Sequence, residues 1–375
     1  MPPSSGPRAG FRARVTDHLA VAVGTTKGLF LVSDGVPDGP WFKGQEVPAF
    51  TQVEPGELYL AATTDPRYGT SIQVSEDGGG SWRTPSGRPI AFPDDTPATL
   101  ERVWQLHVIH PGAGVKPIVL AGTDPAALFV SRDLGESFSL IRPLWDHPHR
   151  ERWEPGGGGL ALHTIVTHPE RPGRITVGVS TGGVYRSDDS GATWEPKNDG
   201  IAATHLPDPH PAFGQCVHKI ATDAESPDVL WLQNHGGVYR STDAGDHWTD
   251  VGRAGEVGGL PSDFGFPIVA HPTAPRTAYV FPLESADYRC SPGAACRVYR
   301  TEDGGASWEP LTSGLPQVAA HLTVLRDAFD AGENPPYPLV FGTRTGQIYA
   351  SGDSGGTWRL FADHLPPILC VRVLA

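Results

Sequence analysis

Four histidines stand at or near the heads of short apolar runs: His107, His163, His218 and His321. A fifth, His235, lies in the turn Gln233-Asn234-His235-Gly236. Neutral imidazole is a ligand for zinc, copper, nickel or iron and, titrating near neutrality, a general base. If the apolar runs are strands, counting back from the turn that ends each one puts His163 and His218 on the same rung. Gln105 takes that rung in the preceding unit, with His107 two residues deeper on the same strand face. Lys219 points the other way by alternation, in an orienting role, unless a bulge re-aims it. His107, His163, His218 and His235 are therefore the expected ligands of one divalent transition metal ion, and His163, His218 and His235 the expected catalytic imidazoles. No HExxH or paired CxxC accompanies them. The expectation is positional, and its alternative is a set of imidazoles that bond water and backbone in a wet channel.

The residues that would serve these histidines come from long loops. The loop 142–160 carries Trp145, His147, His149, Arg150, Arg152 and Trp153; 197–214 carries His205 and His210. Asp263, in Ser262-Asp-Phe-Gly265, and Glu284 are the acid–base candidates. Arg67, in Thr64-Asp-Pro-Arg67, and Arg289 are the anion anchors, and Gln105, Trp145 and His321 complete the expected substrate contacts. Two carboxyls about 5–9 Å apart would also suit glycoside hydrolysis. Cys290 and Cys296 share one loop; they bridge, bind metal, or stay free thiols in a reducing compartment.

A repeat must position these residues. A hydroxyl residue, Asp, Gly, a small or polar residue and an aromatic recur with fixed spacing in six copies. They are Ser75-Glu-Asp77-Gly-Gly79-Gly-Ser81-Trp82 and its equivalents around Asp133, Asp189, Asp243, Asp303 and Asp353. The Asp-to-Asp intervals are 56, 56, 54, 60 and 50 residues. The carboxylate is placed to accept backbone N–H bonds of a tight turn, Gly to adopt positive φ, and the aromatic to start the next strand. These conspicuous residues therefore read as structural.

The motif resembles the BNR/Asp-box repeat family, with its sialidase-like, sortilin-like and photosystem-assembly-like propellers, over the chain from about Leu19 onward. The resemblance implies an all-β propeller with one four-stranded blade per repeat and the box between the third and fourth strands. Six boxes give six blades. The runs 19–24 and 28–32, the decayed box Ser33-Asp34-Gly35 and an outer strand starting at Trp41-Phe42 supply most of a seventh. The C-terminal run 368–374 is the strand left over, and pairing it into the first blade closes the ring and removes both edges. Within the resemblance this is not a true sialidase: the Phe-Arg-Ile-Pro motif is absent, Phe11-Arg12-Ala13-Arg14 is a weak echo, and seven blades replace the usual six.

In a four-stranded blade the boxes share one face with the first-to-second turns, where His110-Pro, His168-Pro and His271-Pro fall as turn residues. The opposite face collects the long loops and the heads of the inner strands, so chemistry is expected there.

The bulk properties set outer bounds. With 375 residues, 38 % hydrophobic, 46 Gly and 38 Pro, the chain fits a large turn-rich β architecture. A net charge of −13 without a basic run opposes nucleic-acid binding. No apolar run approaches a membrane span. Residues 1–16 lack an apolar segment of the secretory kind and read as a disordered leader, with the propeller over 17–375 and a cytoplasmic location. The expectation is a monomer or weak homo-oligomer: a small-molecule enzyme at the His-lined mouth, performing metal-assisted or acid–base hydrolysis, elimination or isomerisation. A scaffold binding a protein or peptide partner and a glycoside hydrolase are the alternatives.

Overall fold

The computed structural model describes residues 19–112, 114–223 and 226–375. The expected leader lies outside them. Among the described residues the smallest recurring unit is the aspartate turn. In blade 6, Thr301 Oγ1 donates to Asp303 Oδ1 (2.8 Å) and accepts from Gly305 N–H (2.8 Å), while Ser307 donates its N–H to Oδ1 (2.9 Å) and its hydroxyl to Oδ2 (2.6 Å). Burial pushes the Asp303 carboxyl up, but the bonds from Ser307 and Thr301 outweigh it and hold the group at about 2. In blade 5 the imidazole of His247 replaces the hydroxyl, 2.7 Å from Asp243 Oδ2. The aromatic then reaches the preceding blade: Trp248 Nε1 donates to Lys197 O (3.0 Å) and Trp308 Nε1 to Val251 O (2.7 Å).

Gly305 has φ +91°, and a Cβ there would meet Val251 Cβ at 2.4 Å. Gly305→Ala is expected to lower stability by about 2 kcal/mol through positive φ and overpacking between blades. The urea midpoint reads this, and an unchanged midpoint would contradict the packing account.

Seven antiparallel sheets form the blades of a propeller. Middle strands such as Ala278–Pro282 and Ile348–Ser351 are buried on both faces, because each blade lies between two others. The short outer strands Glu195–Pro196 and Thr249–Asp250 are mostly exposed at the rim. The C-terminal strand Ile368–Val373 pairs with Ala20–Thr25 as the inner strand of blade 1, as expected, and buries Ile368, Cys370 and Val371 completely. No helix among the described residues is long and apolar enough to cross a membrane.

Two boundaries differ from expectation. The outer strand of blade 1 is Val36–Trp41, ending rather than beginning at Trp41, because Asp34 (φ 50°) and Gly35 (φ 82°) turn the chain at once. Blade 2 has three strands, and after its aspartate turn the chain makes only the bridge Val74–Arg83. Pro85, Pro89, Pro93 and Pro97 follow, although the outer strands of blades 4 and 6 each hold a proline, Pro196 and Pro310.

The inner strands carry the feature that positions the site. Register shifts between Val103 and Gln105, Leu162 and Thr164, and Val217 and Lys219 leave Trp104, His163 and His218 as the extra residues. The rung shared by His163 and His218 thus belongs to Trp104 in blade 3, not Gln105. Gln105 aligns with Thr164 and Lys219 instead. Its Oε1 accepts from Ile165 N–H (2.6 Å), and Thr164 Oγ1 accepts from Ile220 N–H (3.1 Å), so this second rung ties inner strands together.

Candidate functional site at the loop-face mouth

Cys216 immediately precedes the inner strand of blade 5, Val217–Thr222, whose second residue is His218. His235 lies in the turn between Leu230–Asn234 and Gly237–Ser241 of the same blade, opposite its aspartate turn. Cys216 Sγ and one ring nitrogen from each of His218 and His235 lie within 4.8 Å of one another. Cys216 Sγ to His218 Nε2 is 3.7 Å, close to the ~3.5 Å that two ligands subtend in a tetrahedral zinc site. His218 Nδ1 lies 2.6 Å from the carbonyl oxygen of Gly265. A carbonyl only accepts, so Nδ1 carries the proton and the Nε2 lone pair is left toward Cys216. Burial, with the charges of Arg326, His235 and Arg289, holds His218 well below the usual imidazole range. Burial, His205 and Arg289 also lower His235. Both rings are neutral near pH 7, the form that binds metals. Burial raises the Cys216 thiol, opposed by Arg326 and Arg289.

Phe264 and Phe266 wall the site, with ring centroids 5.4 and 5.0 Å from His218. His163, 1 % exposed, has no hydrogen-bond partner among the described residues for either ring nitrogen. Its pKa is driven well down by burial, then Arg326, His218 and Lys219. Lys219 also differs from the alternation expectation. With the strand bulged at its head, its Nζ reaches Asp327 Oδ1 (2.7 Å), which Arg372 Nη2 of the closing strand also meets (2.7 Å).

His107 belongs elsewhere. It lines a cavity of about 770 Å³ at the aspartate-turn end of the channel, with Gln52, Asp330, Glu333 and Arg372. Its Nε2 meets Thr167 Oγ1 at 2.9 Å. It is therefore absent from the ligand triangle, contrary to the sequence expectation, and this cavity opens on the face expected to be structural. Burial, then the charges of Lys219, Arg372 and His110, lowers His107 to about 4. A depressed histidine contributes stability above its unfolded value of 6.5 and loses it as pH falls toward 4. His107→Gln is accordingly expected to gain on wild type between pH 7 and 4 in urea unfolding; a pH-independent gap would count against this.

The remaining expected residues scatter. Backbone bonds run Asp263 and Glu284 close together, with Leu283 N–H donating to Phe264 O (2.8 Å). Their carboxylates face different neighbours: Asp263, raised by burial and Asp250, bears on Tyr239, whereas Glu284 bears on Tyr288. Arg67 is exposed in a turn held by Asp65 Oδ1. Trp145 ends a short helix, Arg142–Trp145, with the Arg150 guanidinium 3.4 Å over its ring. His321 is exposed, precedes the inner strand of blade 7 and has Nδ1 2.7 Å from Tyr288 Oη. Cys290 and Cys296 are free. Cys216 and Arg326 were not among the expected residues. The Cys216-Val-His218 spacing, which puts both ends on one strand face, was the available signal for the former.

No family model matches the chain. An oligoxyloglucan-reducing end-specific xyloglucanase of Emericella nidulans is 28 % identical over 230 residues, 52 % of this chain and 26 % of that protein. Xyloglucanase Xgh74A of Acetivibrio thermocellus is 27 % identical over 234 residues, 54 % of this chain and 26 % of that one. The aligned part of the chain thus spans about a quarter of the length of these curated relatives. Among solved structures, the GH74 xyloglucanase of Xanthomonas campestris superposes with TM-score 0.64 at 19 % identity, covering 92 % of this chain and 52 % of that one. YCF48 bound to D1 peptide gives TM-score 0.53 at 12 % identity, covering 94 % and 88 %. A putative 6-phosphogluconolactonase of Bacteroides fragilis gives 0.57 at 12 %, covering 96 % and 99 %. At these identities the structural likenesses establish the propeller fold alone.

Proposed function

We propose that this propeller is a small-molecule hydrolase working at the loop-face mouth, with Cys216, His218 and His235 as ligands of one divalent transition metal ion. The convergence of these three donors carries the reading. The thiolate–imidazole set is of the borderline-soft kind that suits zinc or copper. Such an ion would supply Lewis acidity toward water or a substrate oxygen. The chain's own part is orientation and proton handling. The Gly265 carbonyl holds the His218 ring, Phe264 and Phe266 exclude water from one side, and neutral His163 has two ring nitrogens free to take or pass a proton. Free thiols fit a reducing compartment, and we assign the protein to the cytoplasm. Among the exposed large apolar residues, Tyr68 and Val257 stand on separate blades and only Val36 and Leu360 adjoin, where blade 1 meets blade 7, which gives little support to a partner-docking patch.

The test is a broad ester and glycoside substrate screen with metal-depleted and metal-replete protein. Turnover should need the metal and be lost in His163→Ala/His218→Ala; wild-type-like turnover in that double variant would remove both residues from the mechanism.

A second reading, carboxyl-catalysed glycoside hydrolysis, draws on the sequence likeness to xyloglucanases. Its candidate acid is Asp330 on the 770 Å³ cavity, raised by burial and so suited to hold a proton, with Glu333 at the rim. Turnover of a xyloglucan oligosaccharide that survives His218→Ala and disappears in Asp330→Asn would favour it over the first.

A further inference from the structure

We infer that the mouth beside Cys216, His218 and His235 binds an oxyanion, the carboxylate or phosphate of a small molecule, through Arg289 and Arg326. This deepens the proposed function by giving that site a substrate class. Both guanidinium groups pack on one ring: the Arg326 Cζ lies 5.0 Å and the Arg289 Cζ 5.5 Å from the centroid of Phe266. Packing over a ring uses the face of a guanidinium and leaves the N–H groups in its plane available.

Neither group forms an ion pair among the described residues, although the chain carries a net charge of −13 and Arg83, Arg102, Arg174, Arg186 and Arg300 all do so. The Nε of Arg326 is buried without a protein partner, while that of Arg289 is spent on Ala286 O (2.9 Å). The adjacent carboxylate, Asp327, is already shared by Lys219 and Arg372. Around the two arginines stand Cys216, His218, His235 and His163, none of them a carboxylate, and the carboxylate whose charge reaches Arg326 is that same engaged Asp327. Two cations held near one another with no ion-pair partner of their own repel, and a buried donor left unpaired has lost its water bonds without replacement. An oxyanion relieves both at once, because its oxygens match the guanidinium fork. A second, independent observation lies beneath: His163, almost fully buried beside Arg326, has both ring nitrogens unpartnered, so a polar group entering the mouth finds acceptor and donor capacity below it as well.

The experiment is calorimetric titration with sodium acetate, inorganic phosphate and neutral acetamide at fixed ionic strength, on metal-replete and metal-depleted protein. At least one anion should bind saturably in both forms and acetamide should not; the acetate and phosphate arms tell which oxyanion is preferred. Arg289→Gln and Arg326→Gln should each weaken binding about tenfold or more, with Arg326→Lys retaining part of it. Arg289 is exposed, so its variant remains informative if Arg326→Gln fails to fold. The inference is overturned if neither anion binds, if the arginine variants bind as wild type does, or if metal depletion abolishes binding that both arginine variants keep. Arginine-dependent binding in a protein that takes up no metal would sustain the inference while removing the metal from the proposed function; turnover with metal but without anion binding would do the reverse.

Discussion

His218→Ala and Cys216→Ser are each expected to weaken zinc or cobalt binding by about 10²–10³-fold. Zinc binding by a full thiolate–imidazole set releases about 10–16 kcal/mol, so one ligand of three or four carries on the order of 3 kcal/mol. His218 should be the more sensitive of the two imidazoles, because its ring is pinned at 2.6 Å by the Gly265 carbonyl, whereas His235 sits half-buried in a turn. Cobalt substitution gives a readout separate from activity. A sulfur-to-cobalt charge-transfer band should appear in the wild type, vanish in Cys216→Ser and persist, with weakened affinity, in His235→Ala. His107→Ala, at the other end of the channel, should leave metal content unchanged. Absence of stoichiometric metal after metal-replete expression, or retention of the band in Cys216→Ser, would end the proposal.

Asp327→Ala should destabilise the ring by about 3–5 kcal/mol, the usual cost of removing one partner from a buried ion network. Asp327 is 5 % exposed and neutralises two cations at once, Lys219 from blade 5 and Arg372 from the strand that closes blade 1. Without it neither cation keeps an ion-pair partner among the described residues, and only the field of Asp330 opposes them. The contrast is Asp95→Ala, which removes the partner of Arg142 at an exposed site and should change stability far less. Although burial pushes the Asp327 carboxyl up, Lys219 and Arg372 hold it below the ordinary value of 3.8. Its contribution is therefore present above that value and lost on further acidification, in contrast with His107, whose contribution is lost between 6.5 and 4. Urea unfolding of the two variants at neutral pH decides the matter: similar losses for Asp327→Ala and Asp95→Ala would mean the network is solvated and of little weight.

The propeller was legible because its signals are short-range. Each aspartate turn is specified within seven or eight consecutive residues, and their recurrence at 50–60 residues states how many blades must fit around a ring. Closure was legible for a related reason: the run 368–374 is apolar and had no partner of its own, and blade 1 lacked an inner strand.

The site was legible only in part. The loop-face mouth and the histidines His218 and His235 follow from strand order. Strict alternation failed at the heads of the inner strands, where one extra residue moves a side chain to the other face. That single irregularity put Trp104 on the rung assigned to Gln105. Cys216 lies outside the turn motif, just ahead of its strand, and Arg326 lies in an irregular stretch before Phe329–Ala331 where no repeat marks its place.

The sequence by itself thus determined an all-β ring of seven blades, its mode of closure and the structural role of its most recognisable residues, because those properties depend on turn chemistry and period. Only the tertiary structure decided which polar groups meet. Bulges insert one residue and so turn side chains to the other face, and ring closure brings residues from blades 5, 6, 7 and 1 to a common axis. Hence Cys216, His218 and His235 form a triangle, Arg289 and Arg326 share a phenylalanine, Lys219 and Arg372 share an aspartate, and His107 stands at the far end of the channel.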